Sequence, residues 1–204
     1  FSTFLASTAA IAPYISARAQ VGKDIPRPDE TTLACISPLG IRCDRVMLEA
    51  TGGANTHKGA IFSLGILACA AGACRREGEL SPQRVCAAAA VIAAPALEDF
   101  AAGNLTTKGL RLYARQGDLG IRGEAASGFA SVRQWALPVL EALSGKGIPE
   151  NDCHLQALLQ LMAHVRDTNV LARGGEEGLA YVQAAAREHQ VNLYRLIVEV
   201  SAVD

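Results

Sequence analysis

AIFSLGILACAAGAC, residues Ala60–Cys74, decides the fold class. It carries no charge, and its apolar residues fall on nearly every side of a helix. A helix that is apolar all round belongs in a core. Its many alanines are small enough to let neighbouring helices come close. The run is too short to be read as a membrane span. The pattern predicts a helix that starts near His57 or Lys58, ends at about Arg76, and sits at the centre of a bundle.

The rest of the chain agrees with an all-α class. Half of the 204 residues are hydrophobic, many of them alanine, and only 5% are aromatic. Alanine is the strongest helix former, and strand-like alternation is nearly absent. The length suits one core, so residues 1–204 are expected to form a single all-α domain of about eight helices joined by glycine-rich loops. A net charge of −1 gives no support for a nucleic-acid binder. Cys35, Cys43, Cys69, Cys74, Cys86 and Cys153 form no C-x-x-C pair and read as reduced thiols. The opening FSTFLASTAAIAPY is apolar but has no basic leader and is broken by Pro13. The expectation is therefore a cytoplasmic protein without a membrane span. A chain that starts on Phe1 is expected to be processed or trimmed.

Outward from the central helix, Ser2 caps a first helix with Phe4, Leu5, Ala9, Ile11 and Ala12 inward, which Pro13 kinks or restarts. GKDIPRPDETT is a loop with Thr31 or Thr32 as a cap. A helix over Ile41–Ala50 turns Ile41, Val46, Met47 and Ala50 to one face. Ser81 and Pro82 open a helix that runs toward Ala94, and Pro95 ends or kinks it. KGLRLYAR is a short helix. FASVRQWALPVLEALSGKG is helical around Pro138. NDCHLQALLQLMAHVRD is amphipathic, with Leu155, Leu158, Leu159, Met162 and Val165 on one face. EEGLAYVQAAAREHQ is another helix, and VNLYRLIVEVSAVD fits helix or strand.

Three glycine-bearing loops carry the residues suited to chemistry. In TGGANTHK, Gly52 and Gly53 can turn backbone amides toward an anion, with a helix N-terminus just behind. Lys58 supplies a point charge to phosphate. Asn55 and Thr56 suit phosphate or sugar hydroxyls, and His57 suits a phosphate donor or a proton carrier. The same residues also suit a plain turn with Asn55 or Thr56 capping the next helix. In the second loop, Gly117–Gly128, Arg122 suits bidentate phosphate binding. Glu124 beside it suits a salt bridge, a metal or a general base. Both also fit a capping loop. In the third, Arg166–Glu177, Asp167 suits Mg²⁺, Asn169 follows it, and Arg173 suits phosphate. A cap and a Gly-Gly turn would explain this loop as well. His154, His164 and His189 lack metal-ligand spacing, and Tyr113, Trp135 and Tyr181 read as packing.

Taken together, EATGGANTHKGAIFSLG, GIRGEAASGFASVRQWALP and LLQLMAHVRDTNVLARGG resemble the triphosphoribosyl-dephospho-coenzyme A synthases. The opening FSTFLASTAAIAPY resembles them too, and the likeness runs from Phe1 to about Ala186. It implies an all-α fold and a reaction between ATP and 3'-dephospho-CoA. The 2'-hydroxyl of dephospho-CoA attacks C1 of the ATP ribose, adenine leaves, and the triphosphate stays on the product. That product is the prosthetic-group precursor for the acyl carrier protein of citrate lyase or malonate decarboxylase. The resemblance assigns Gly52, Gly53, Asn55, Thr56, Lys58, Arg122, Asn169 and Arg173 to nucleotide binding. Asp167 and Glu124 are candidates for Mg²⁺ binding, for stabilising an oxocarbenium-like transition state, or for deprotonating the attacking hydroxyl. His57 is a candidate for the departing adenine.

Two motifs of that family, a T-P-K-P-G-L-V-D-like one before this start and an S-P-G-G-S-A-D-L-like one at the end, are not in this text. The expectation is a member lacking both ends or diverged at its C-terminus. Two other readings follow: an inactive relative that binds nucleotide or a partner, and an Mg²⁺-dependent hydrolase in which water replaces the 2'-hydroxyl.

Overall fold

The structure, a computed structural model, describes residues 2–78, 80–101, 113 and 117–201. Every regular element among them is helical. The expected helix KGLRLYAR lies outside the described residues, apart from Tyr113. The chain divides into two compact units, one of residues 1–104 with 121–128 and one of residues 105–120 with 129–204.

The first unit is built on three long helices. α1 is Ser2–Asp24, α2 Thr32–Ala50 and α3 Lys58–Arg76. α3 has the bounds expected from its sequence, and Ile61, Gly65, Ile66, Cys69, Ala70, Gly72, Ala73 and Cys74 are buried along it. By length and composition alone the whole helix is long and apolar enough to cross a membrane, where its apolar run was expected to be too short. Here it is enclosed by α1, α2 and α4 (Pro82–Ala93). Glycine makes the α1–α3 approach possible. A Cβ on Gly22 would overlap the Cys69 carbonyl, and one on Gly72 would overlap the Ala19 carbonyl.

α1 runs unbroken through Pro13, so the expected restart is absent. Its inward positions are Ser7, Ile11, Arg18 and Gly22, while Phe4 and Leu5 are exposed. α2 starts earlier than expected. Asp29 organises the start: its carboxylate accepts the Thr31 amide at 2.9 Å, and its own amide donates to Thr32 Oγ1 at 3.0 Å. Pro38 is then accommodated within the helix. Met47 and Cys43 are buried, but Ile41 is 71% exposed, against expectation. Ser81 Oγ accepts the Arg84 amide and caps α4, with Pro82 in its first turn, as the sequence indicated. At Pro95 the chain tightens into a 3₁₀ turn, Ala94–Leu97, before the short α5, Glu98–Ala101.

The segment GIRGEAA, expected to be loop, is helix α6, Gly120–Ala126. Glycines with positive φ stand at its start (Gly120, 54°) and just past its end (Gly128, 68°), where only a residue without Cβ adopts them freely. Gly128 also lies against the Cys86 carbonyl, which a Cβ would approach to 2.7 Å.

In the second unit a π-helical turn, Val132–Ala136, leads into α7, Leu137–Leu143. The wider turn falls just ahead of Pro138, which has no N–H for an ordinary helical bond. α8 is Glu150–His164, and α9 runs from Thr168 to Ser201 with a non-helical break at Gly175 (φ 62°, ψ −162°). The terminal segment is thus helix as far as Ser201. On the apolar face of α8, Leu155, Leu158 and Met162 are exposed, whereas Cys153, Gln156, Ala157 and Ala163 are buried.

Candidate functional site

Residues 51–58 join α2 to α3. Gly52 and Gly53 have φ of 64° and 93°. Their amides turn back onto α2: Gly53 N–H donates to Leu48 O at 2.8 Å and Gly52 N–H to Glu49 O at 3.5 Å. The Thr51 hydroxyl ties the turn by donating to Ala54 O at 2.6 Å. The glycines therefore close a helix C-terminus here, and their amides are not turned outward to an anion. Asn55 Oδ1 accepts the amide of Lys58, the first residue of α3, at 3.1 Å.

Thr56 and His57 are tied to α1. The Thr56 hydroxyl donates to Ser7 Oγ at 2.9 Å. His57 Nδ1 lies 2.8 Å from Ser7 Oγ and 2.9 Å from Thr56 Oγ1. The Phe4 and His57 rings meet edge to face at 5.5 Å. Ser7 is fully buried, so this cluster holds the imidazole in one place against α1.

Lys58 leads into a cavity of about 510 Å³ within the first unit. Its polar wall consists chiefly of Arg18, Asp44, Lys58 and Arg122, set among apolar groups that include Ile36 and Ile61. Lys58 Nζ stands 3.8 Å from Asp44 Oδ2. The other carboxylate oxygen, Asp44 Oδ1, is buried without a hydrogen-bond partner among the described residues. Burial pushes the Asp44 carboxyl above its ordinary range, against the opposing pull of Lys58 and Arg18. Arg122 reaches this wall from α6, with its guanidinium 5.9 Å from the centre of the Phe100 ring.

The structure thus brings Lys58 and Arg122 together. Gly52, Gly53, Asn55, Thr56, His57 and Glu124 are not in the wall of this cavity. Asp167, Asn169 and Arg173 belong to the second unit and are exposed. Asp167 Oδ1 accepts the Asn169 amide at 2.6 Å and the Val170 amide at 3.0 Å, which makes it the cap of α9. Beside it Arg166 pairs with Asp118 (Nε–Oδ1 3.0 Å) and Glu176 (Nη2–Oε1 2.6 Å). No group of three His, Cys, Asp or Glu side chains suited to a metal ion occurs among the described residues.

Comparison with known proteins adds ancestry to this geometry. The family model described as ATP:dephospho-CoA triphosphoribosyl transferase matches residues 1–197. The chain belongs to this family. A probable 2-(5''-triphosphoribosyl)-3'-dephosphocoenzyme-A synthase of Pectobacterium carotovorum is 45% identical over 76% of the chain and 53% of its own length. A second probable synthase, from Albidiferax ferrireducens, is 45% identical over 91% of the chain and 63% of its own length. The Escherichia fergusonii synthase is 39% identical over the same shares. The chain therefore spans between about half and two thirds of the length of these relatives. No solved structure matches.

Two charged residues of the cavity were missed by the sequence reading, Arg18 and Asp44. For Arg18 a signal was present. Ser7, Ile11, Arg18 and Gly22 recur at helical spacing, so a charged residue occupies an inward position of α1. Asp44 lies next to inward Cys43 and had no comparable mark.

Proposed function

We propose that this chain provides a large part of a transferase that joins ATP to 3'-dephospho-CoA. The 2'-hydroxyl of dephospho-CoA forms a bond to C1 of the ATP ribose, the bond from C1 to adenine breaks, and the hydroxyl proton is transferred away. The product is 2'-(5''-triphosphoribosyl)-3'-dephospho-CoA, with adenine released. In this reading it becomes the prosthetic-group precursor of an acyl carrier protein of citrate lyase or malonate decarboxylase.

The observation that carries the reading is a cavity with a largely cationic polar wall, in a chain of this family. Lys58 and Arg122 offset triphosphate charge. A carboxylate near C1 stabilises the positive charge that develops as adenine departs, and accepts the proton of the attacking hydroxyl. Asp44, in the cavity wall, is our candidate for that work. Asp167 and Glu124 remain candidates on the sequence resemblance, and His57 remains the candidate for donating to adenine.

Mg²⁺ fits the donor chemistry. It usually takes one or two carboxylates and completes its shell with water and substrate phosphate. The unpartnered Asp44 Oδ1 is such a donor, and Asp167 is the second candidate. The ion would neutralise triphosphate charge. A cage made only of protein groups is not available among the described residues.

The test incubates the full-length protein with ATP, Mg²⁺ and 3'-dephospho-CoA and follows free adenine by chromatography. Adenine should appear in step with the triphosphoribosylated product. Absence of adenine with both substrates bound overturns the transferase reading. Adenine release from ATP alone would point to the hydrolase.

A further inference from the structure

Arg18 comes from α1, yet its guanidinium lies between α2 and α3. Both helices have a glycine where it passes. A Cβ on Gly40 would overlap its Nη2, and a Cβ on Gly65 would overlap its Nη1. Only 4% of the residue is exposed. One arm, Nη1, donates to the Ile61 carbonyl near the start of α3. Nε has no hydrogen-bond partner among the described residues. The carboxylate nearest in effect is Asp44, which attracts the guanidinium only across space and is 3.8 Å from Lys58.

A buried guanidinium is costly unless it meets an anion. Two helices have given up side chains to seat this one in the wall of the Lys58 cavity. Within that wall Arg18 and Lys58 face the single carboxylate of Asp44. A buried guanidinium with an unpartnered Nε beside a second cation calls for an anionic ligand. A planar guanidinium with five donors suits phosphate oxygens better than an ammonium does.

We infer that Arg18, seated in the Gly40–Gly65 slot, is an anion-binding residue of this cavity that holds the polyphosphate of the incoming nucleotide. The inference rests on the transferase reading for the identity of the nucleotide, but not for the binding of polyphosphate itself. Arg18 grips phosphate from the floor, and Lys58, which is 60% exposed at its side chain, closes over it from the mouth. Adenosine, which has no phosphate, gains nothing from Arg18.

The experiment measures binding of inorganic tripolyphosphate, ATP and adenosine by calorimetry, using the full-length protein, Arg18→Gln and Arg18→Lys. Thermal melting checks that each variant is folded. Arg18→Gln should weaken tripolyphosphate and ATP by about tenfold or more, the loss expected for a hydrogen bond to a charged group. Adenosine affinity should not change. Arg18→Lys should fall between the two, because it keeps the charge and loses the fork. If Arg18→Gln does not fold, Arg18→Lys decides alone through a severalfold loss for tripolyphosphate. Tripolyphosphate affinity equal to wild type in a folded variant, or no binding by the wild type, overturns the inference. Tripolyphosphate binding that depends on Arg18, without adenine release from ATP and dephospho-CoA, overturns the transferase reading and leaves this inference standing.

Discussion

The side chain that Gly65 lacks would stand where the Arg18 guanidinium lies. Gly65 is in the middle of α3, where a glycine is otherwise unfavourable by about 0.5–1 kcal/mol relative to alanine. Its presence there follows from what it makes room for. Gly65→Ala should cost about 1–3 kcal/mol, the usual range for overpacking. Gly59→Ala, in the same helix with open space around it, should be neutral or slightly stabilising. Urea unfolding of both variants checks this, and equal effects would remove the slot from the account.

Asp44 should behave as a residue kept at a cost to stability. Its folded pKa is raised above the ordinary 3.8, mainly by burial. The folded state thus holds the proton more tightly than the unfolded chain. Stability then falls as pH rises from about 3.8 through the folded pKa, and the deficit persists at neutral pH. Asp44→Asn should therefore melt no lower than wild type at pH 7, with the difference shrinking on acidification. The same variant should lose most of the adenine release. A stable variant with full activity would exclude Asp44 from the chemistry.

Asp167 offers a separable test of cap against chemistry. Its carboxylate accepts two amides at the start of α9. Asp167→Ala should cost about 1 kcal/mol, the ordinary value of an N-cap. Asp167→Asn should lose much less, since asparagine caps as well as aspartate. A collapse of adenine release in Asp167→Asn, with the melting temperature held, would assign the carboxylate to the reaction. Retained activity would leave it a cap.

The Arg166 cluster should contribute to the acid limb of the second unit. Hydrogen bonds from Arg166 hold Glu176 below its ordinary 4.5. A depressed carboxylate contributes stability above its unfolded pKa and loses it as pH falls through the folded one. Trp135, the sole tryptophan, stacks on His164 at 3.7 Å in the same unit and serves as the optical probe. Its fluorescence transition below about pH 4.5 should be shallower in Glu176→Gln than in wild type. Superimposable acid titrations would show that the pair contributes nothing measurable.

Thiol reactivity should follow burial. Cys35 is exposed, whereas Cys43, Cys69, Cys74, Cys86 and Cys153 are buried. Burial pushes the Cys69 thiol up to about 11, which leaves little thiolate at neutral pH. A thiol reagent on the native protein should modify Cys35 first and Cys69 only on unfolding. Early labelling of Cys69, located by peptide mapping, would mean that α3 is not enclosed as described.

Local chemistry was legible wherever it is self-contained. Ser81 with Pro82 announced the start of α4, and the bounds of α3 followed from its apolar run. The start of α2 was less visible, because it depends on Asp29 folding back on Thr31 and Thr32. Leu155, Leu158 and Met162 misled, since an apolar stripe does not say which neighbour meets it. Here α8 buries Cys153, Gln156, Ala157 and Ala163 instead.

The site divides the same way. The sequence by itself determined the all-α class, the family, and the residue types in the three loops, because these depend on order and spacing along the chain. Only the tertiary structure decided which charges share a cavity. Lys58 and Arg122 are far apart in sequence and meet there, with Arg18 and Asp44 beside them. That grouping depends on how α1, α2 and α3 pack, with Gly40 and Gly65 leaving room for the Arg18 guanidinium, which no local pattern records.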